Sequence, residues 1–167
     1  LKYNGSTWVL VGASLVGGGF QGKCHDLVLS PSGVPHILFQ DGGGTPVLYA
    51  RSYNGTSWIN FGTQANGIIV SPSNYATLTM DTTNGTLYIA LADQANSSKA
   101  TVMKCTGSAN AWTTVGTAGF TASNVNYPSI LIQNSIPYLA FRDGANATKA
   151  TVMTYNGSSW SILGTAG

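Results

Sequence analysis

The chain contains no glutamate, and its five acids are Asp26, Asp41, Asp81, Asp93 and Asp143. Charged residues make up 7% of the 167 positions, against about 25% in an average soluble protein. Hydrolysis of a glycoside generally draws on two carboxylates, one of them tuned as an acid. Three of the five aspartates hold a repeated position, so the composition predicts a protein that is not an enzyme. The seven bases are scattered and leave a formal net charge of +2, which offers no basic face to nucleic acid. No apolar run approaches the roughly 20 residues of a membrane-crossing helix. Arg51 and Arg142 are the two arginines, too few to grip a carboxylate as a cluster within one chain.

Histidine and cysteine are equally scarce. His36 falls in a column otherwise filled by Tyr88 and Tyr138, which predicts a packed aromatic substitute. His25 lies in a connector beside Asp26, with nothing to position a nucleophile near it. Cys24 and Cys105 sit in different repeats without a partner motif. A single disulfide fits, but two buried thiols are expected, because neither cysteine occupies a repeated position. Oxygen-bearing side chains do line up in Asp93-x-x-Asn96-x-Ser98 and Asp143-x-x-Asn146-x-Thr148. Their spacing is not that of an alternate-residue calcium loop, and Asp41 lacks the asparagine. No metal and no cofactor are therefore expected.

What the chain has in quantity is repetition. Tyr3-Asn4-Gly5-Ser6-Thr7-Trp8 returns as Tyr53-Asn54-Gly55-Thr56-Ser57-Trp58 and as Tyr155-Asn156-Gly157-Ser158-Ser159-Trp160. A degenerate copy runs from Cys105 to Trp112 with two extra turn residues. A glycine follows each tryptophan by four positions, at Gly12, Gly62, Gly116 and Gly164. Asn-Gly between apolar runs predicts a hairpin, here with a type I′ turn. A second landmark keeps phase with the first. Asp41, Asp93 and Asp143 each end a strand-like run, 12 residues before Tyr53, Cys105 and Tyr155.

Each repeat of 50 to 52 residues reads as four short antiparallel strands. Residues 129–133 and 137–143 make one hairpin of the last repeat, and residues 149–155 and 160–164 make the other. Ile37/Phe39, Ile89/Leu91 and Leu139/Phe141 form one apolar column, and His36/Leu38, Tyr88/Ala90 and Tyr138/Ala140 form the opposite one. Both faces of each sheet are thus expected to be packed against neighbours. Tandem four-stranded sheets of this length are the signature of a β-propeller. The prediction is an all-β segment with a half-blade at 2–12 and blades at about 27–62, 77–116 and 128–164. Closed propellers have typically four to eight blades. A second chain, or further sequence, is therefore expected to complete a six- or seven-bladed ring.

The run from Asp41-Gly42-Gly43-Gly44 through Tyr53 to Trp58 resembles kelch-type and other secreted bacterial propeller repeats. Gly-Gly is missing after Asp93 and Asp143, and the Tyr–Trp gap is one residue short of the usual kelch pattern. The resemblance implies a scaffold shared by lectins, adhesins, oxidases and protein-binding modules. It does not imply one activity.

Residues at fixed repeat positions read as structural. Asp41, Asp93 and Asp143 are expected to accept backbone N–H bonds in the following turn. Trp8, Trp58, Trp112 and Trp160 are expected to anchor the outer hairpins rather than to stack on sugars. The candidates for recognition are Gln40, Arg51 and Arg142, together with the positions that vary between repeats, namely Gln40, Ala92 and Arg142 before each aspartate and the connectors 13–25, 63–76 and 117–127. The hydroxyl- and amide-rich composition predicts an extracellular or cell-surface segment of a larger secreted precursor. It would bind carbohydrate or a surface glycoprotein without catalysis, with a purely structural or protein–protein module as the alternative and a propeller hydrolase as the least favoured reading. Asn-x-Ser/Thr sequons at Asn4, Asn54, Asn84, Asn96, Asn146 and Asn156 largely coincide with turns.

Overall fold

The structure, a computed structural model, describes residues 1–13, 23–41, 47–63, 68–70 and 72–167, with backbone alone at 24, 25, 69, 70 and 72–74. It is all-β and of propeller type, with no α-helix among the described residues. Strands β1 (Lys2–Tyr3) and β2 (Trp8–Val9) form an N-terminal hairpin. Three antiparallel meanders follow. The first sheet runs β3 (Lys23–Leu29), β4 (Pro35–Asp41), β5 (Val47–Tyr53) and β6 (Trp58–Asn60), with β7 (Ile69–Val70) also paired to β5. The second comprises β8 (Pro72–Asp81), β9 (Thr86–Asp93), β10 (Lys99–Cys105) and β11 (Thr113–Thr114). The third comprises β12 (Val125–Gln133), β13 (Ile136–Asp143), β14 (Ala150–Tyr155) and β15 (Trp160–Ile162). A single 3-10 turn, Gln94–Asn96, follows Asp93.

Strand alternation sends neighbouring residues to opposite faces, and the second sheet uses both. Leu87, Ile89 and Leu91 pack with Leu38, Leu48 and Ala50 of the first sheet. Tyr88, Ala90 and Ala92 pack with Leu139, Phe141 and Met153 of the third. Leu38, Leu48, Leu87, Ile89, Leu91 and Leu139 are fully buried, and each contributes roughly 1.5–3 kcal/mol by leaving water. The two cores therefore share the second sheet as a common wall.

The first strand of each of the three larger sheets is bulged near its start, between Cys24 and Asp26, Pro72 and Ala76, and Asn126 and Ser129. These strands form the innermost edges, and side chains tie them together. Asp26 Oδ2 accepts from Thr77 Oγ1 and from the Leu78 N–H, both at 2.8 Å. At the opposite end of the sheets, Ser135 donates to Asp81 Oδ2 at 2.6 Å.

The Tyr–Trp hairpins differ from the type I′ expectation. Asn4, Asn54 and Asn156 keep ordinary backbone angles, while Gly5, Gly55 and Gly157 take φ of 101°, 98° and 96°. The loops have four residues, and the asparagine oxygen closes them by accepting two backbone N–H bonds, as Asn54 does from Thr56 and Ser57 at 3.0 and 2.8 Å. An Asx turn thus replaces the two-residue turn. Positive φ at both central residues occurs instead at Asn134 and Ser135, at 51° and 60°, between the paired residues Gln133 and Ile136.

Candidate functional site

The repeated aspartates sit at the ends of β9 and β13 in matching networks. Asp93 accepts from the Ala95 N–H at 3.1 Å, Asn96 Nδ2 at 2.8 Å and Thr101 Oγ1 at 2.8 Å. Asp143 accepts from the Ala145 N–H, Asn146 Nδ2 and Thr151 Oγ1 at 2.9, 2.7 and 2.8 Å. Burial pushes the Asp143 carboxyl up, but its three hydrogen bonds outweigh that and hold it below the ordinary value. Both asparagines turn an N–H donor, not an oxygen, toward the carboxylate. Asp41 ends β4, and Gly42–Gly44 lie outside the described residues.

The three candidate recognition residues are not brought together. Gln40 is buried on the face of β4 that carries Leu38, whereas Arg51 pairs with Ile37 on the opposite face. The Arg51 guanidinium lies 5.3 Å from the Phe39 ring centroid, and its Nε donates to Asn60 Oδ1 at 3.2 Å. Arg142 is exposed on β13, a full sheet away. Near it, the bulges of β8 and β12 bring Tyr75 and Tyr127 to a ring separation of 4.5 Å. The hydrogen bond and charge of Tyr127 push the Tyr75 phenol up, and the Arg142 charge works against them. Tyr127 is 62% exposed and takes φ of 51°, an unusual conformation for a bulky residue.

Trp58, Trp112 and Trp160 lie along the outer hairpins, and each indole N–H reaches a carbonyl of the preceding sheet or hairpin. Trp8 is exposed on the N-terminal hairpin. His36 is buried, hydrogen-bonded through Nδ1 to Ser52 Oγ, and edge-on to Phe61. Burial lowers its pKa. Cys105 is a buried free thiol whose pKa burial raises. The side chains of Cys24 and His25, residues 14–22 of the first connector and residues 64–67 and 71 of the second lie outside the described residues.

A cleft opens between the second and third sheets, at the end away from the repeated aspartates. It has a volume of about 420 Å³ and is walled by Tyr88, Lys104, Thr114, Ser135, Tyr155 and Asn156, with Val115 between them. That volume falls within the roughly 300–1,000 Å³ of small-molecule sites. Two aromatic rings, neutral hydroxyl and amide groups and one ammonium line it. Asp81 stands at its rim through Ser135. Burial acts to raise the Asp81 carboxyl, but donors from Ser135, Thr83 and Asn84 outweigh it and lower its pKa. Burial, then the nearby Asp81 charge, pushes the Tyr88 phenol up. The equivalent of Val115 in the first sheet is Phe61, whose ring fills space between His36 and Trp112, 5.5 and 6.4 Å away. Sequence reasoning missed the cleft because its lining comes from residues of two repeats that have no common spacing.

No family model matches the chain, and no curated protein matches it significantly. Solved structures share its fold, two of them as follows. One is an α-L-arabinofuranosidase from Fusarium graminearum in complex with an iminosugar inhibitor, with TM-score 0.54, 12% identity and 83% of this chain covered. The chain spans 46% of that enzyme's length. The other is a fucose lectin from Kordia zhangzhouensis in complex with methyl-fucoside, with TM-score 0.51 and 15% identity, covering 85% of this chain and 99% of the lectin. The first likeness corrects the expectation that the chain is not an enzyme, since a glycosidase is built on the same architecture. At these identities the chain shares with both proteins a propeller-type fold.

Proposed function

We propose that the chain is an extracellular carbohydrate-binding propeller segment that holds a sugar in the cleft between its second and third sheets. Copies of the chain associate to complete the ring. The observation that carries the reading is the lining of that cleft. Tyr88 and Tyr155 bring aromatic rings to it, and Thr114, Ser135, Asn156 and Lys104 bring groups that hydrogen-bond to hydroxyls. A sugar ring presents apolar C–H faces and a rim of hydroxyls, and this mixture matches both. The complex of a similarly folded lectin with methyl-fucoside adds support from outside the chain. In this reading the kelch-like Asp41, Tyr53 and Trp58 serve the scaffold.

The test is a glycan array followed by calorimetric titration of the purified chain with the best sugar. Wild type is expected to bind one sugar class saturably, and Lys104→Met and Thr114→Val to weaken that binding about tenfold or more. Release of reducing sugar in the same mixture would separate binding from hydrolysis. A folded chain that captures no glycan, or that binds equally well with both substitutions, overturns the assignment. Silence on the array would favour a protein partner.

A further inference from the structure

One joint recurs at every boundary between successive units. Trp58 Nε1 donates to the Val11 carbonyl at 2.8 Å, Trp112 Nε1 to that of Phe61 at 2.9 Å, and Trp160 Nε1 to that of Val115 at 2.8 Å. In each case the acceptor lies three residues after the preceding tryptophan. The next residue is a glycine against which the incoming tryptophan rests, joined at Gly12 and Gly116 by the tyrosine of its hairpin. A Cβ built on Gly12 would stand 2.8 Å from Tyr53 and 3.3 Å from Trp58, and one on Gly116 would stand 3.1 Å from Tyr155 and 3.2 Å from Trp160. On Gly62 it would meet Trp112 at 2.6 Å. A side chain at any of these positions would hold the next unit off.

The series has one unused member at each end. Trp160 plus three is Leu163, followed by Gly164, which has φ of 81° and nothing within 4 Å of a built Cβ. The Leu163 N–H bonds to Val152 O at 2.8 Å, just as Phe61 bonds to Ala50 O at 2.9 Å and Val115 to Val102 O at 2.8 Å. Its carbonyl is therefore positioned as those of Phe61 and Val115 are. At the other end, Tyr3 and Trp8 are 52% and 65% exposed. Their rings stand 5.5 Å apart at 50°, the geometry of Tyr53 and Trp58. Asn4 closes the loop as Asn54 does.

We infer that the chain joins head to tail, with the Tyr3–Trp8 hairpin of one copy seated on Gly164 of a second copy and the Trp8 indole bonded to that copy's Leu163 carbonyl. The occupant is a second copy because this surface continues an interface that the chain makes three times with itself. The exposed Leu131, Val152 and Ile162 lie on the same terminal sheet. The two surfaces differ, so the contact is heterologous, and copies add in one direction until the ring closes. This joint rests on the proposal that copies associate.

Light scattering on the 167-residue chain after size exclusion tests both statements. Wild type should elute as an oligomer. Trp8→Ala and Gly164→Val should each weaken association at least about tenfold, as for a central interface tryptophan, with circular dichroism unchanged. The two variants mixed should form a 1:1 complex, because one keeps an intact tail and the other an intact head. A monomeric wild type overturns association and joint together. An oligomer that survives both substitutions, or a mixture that stays monomeric, overturns the joint alone. Should Gly164→Val fail to fold, Trp8→Ala decides, since Trp8 is exposed and its loss leaves the packed sheets untouched.

Discussion

Ser135 donates its hydroxyl to Asp81 at 2.6 Å across 54 residues of sequence, fastening the β12–β13 turn to the β8–β9 turn. Asp81 also accepts from the Thr83 N–H, Thr83 Oγ1 and Asn84 Nδ2. The bond to Ser135 crosses between sheets at the rim of the cleft. A hydrogen bond to a charged group contributes about 1.5–3 kcal/mol. Ser135→Ala should lower stability toward the lower end of that range, because three donors remain. Urea unfolding measures it, and a loss under about 0.5 kcal/mol would show that the contact is incidental.

Gly116 and Gly164 share a backbone conformation, with φ of 78° and 81°, but not surroundings. Alanine at either pays about 1–2 kcal/mol for the left-handed region. At Gly116 the new methyl also meets Tyr155 and Trp160. In a Trp8→Ala background, where association does not interfere, Gly116→Ala should cost more than Gly164→Ala by about 1 kcal/mol or more. Equal midpoints in thermal unfolding would contradict the close approach.

Val115→Phe places at the second sheet the residue that the first sheet carries at Phe61. The larger ring should narrow the cleft and reduce sugar binding about tenfold or more, while overpacking at this buried position lowers stability by about 1–3 kcal/mol. Titration calorimetry and thermal melts separate the two effects. Undiminished binding would place the sugar elsewhere.

Acid should destabilise the fold in two steps. His36 has its folded-state pKa below the ordinary 6.5. Its neutral form is favoured by folding, so stability is full above that value and falls as the pH drops through and below it. Asp81 and Asp143 have folded-state values below the ordinary 3.8. Their contribution is full above 3.8 and is lost as the pH falls through the lower folded-state values. Denaturation midpoints measured from about pH 8 to pH 2 should show both declines. His36→Gln should flatten the upper one and Asp143→Asn should reduce the lower. An upper decline that persists in His36→Gln would assign it to another group.

The sheets were legible because two signals agree. Alternation at 37–39, 89–91 and 139–141 gives the faces: Leu38 meets Ile89 and Leu91 in one core, Tyr88 and Ala90 meet Leu139 and Phe141 in the other, and Ile37 and Phe39 belong to neither. The Tyr–Asn–Gly–Trp spacing gives the outer hairpins. The bulges were not legible, because Tyr75 and Tyr127 lie where alternation breaks down and where Pro128 follows. Asn-Gly predicts a type I′ turn, whereas the asparagine side chain closes a loop of four residues. The cleft was invisible for a different reason. Lys104 and Ser135 belong to neighbouring sheets, and only the packing of those sheets brings them to one space. Composition alone predicts no catalysis, and that expectation is corrected by a glycosidase that shares the propeller-type fold.

The carboxylate of Asp26 has a consequence for how the molecule behaves when crowded. Strand β8 is an edge of its sheet, and an unprotected edge offers its N–H groups to any passing strand. Asp26 already occupies the Leu78 N–H and brings a negative charge to that spot, while the bulge beside it breaks the flat ladder that fibrils extend. Replacing Asp26 by leucine would remove the guard and leave the Leu78 N–H of the edge strand open. Such a chain should aggregate on storage, and thioflavin fluorescence would report the cross-β stacking that the native edge prevents.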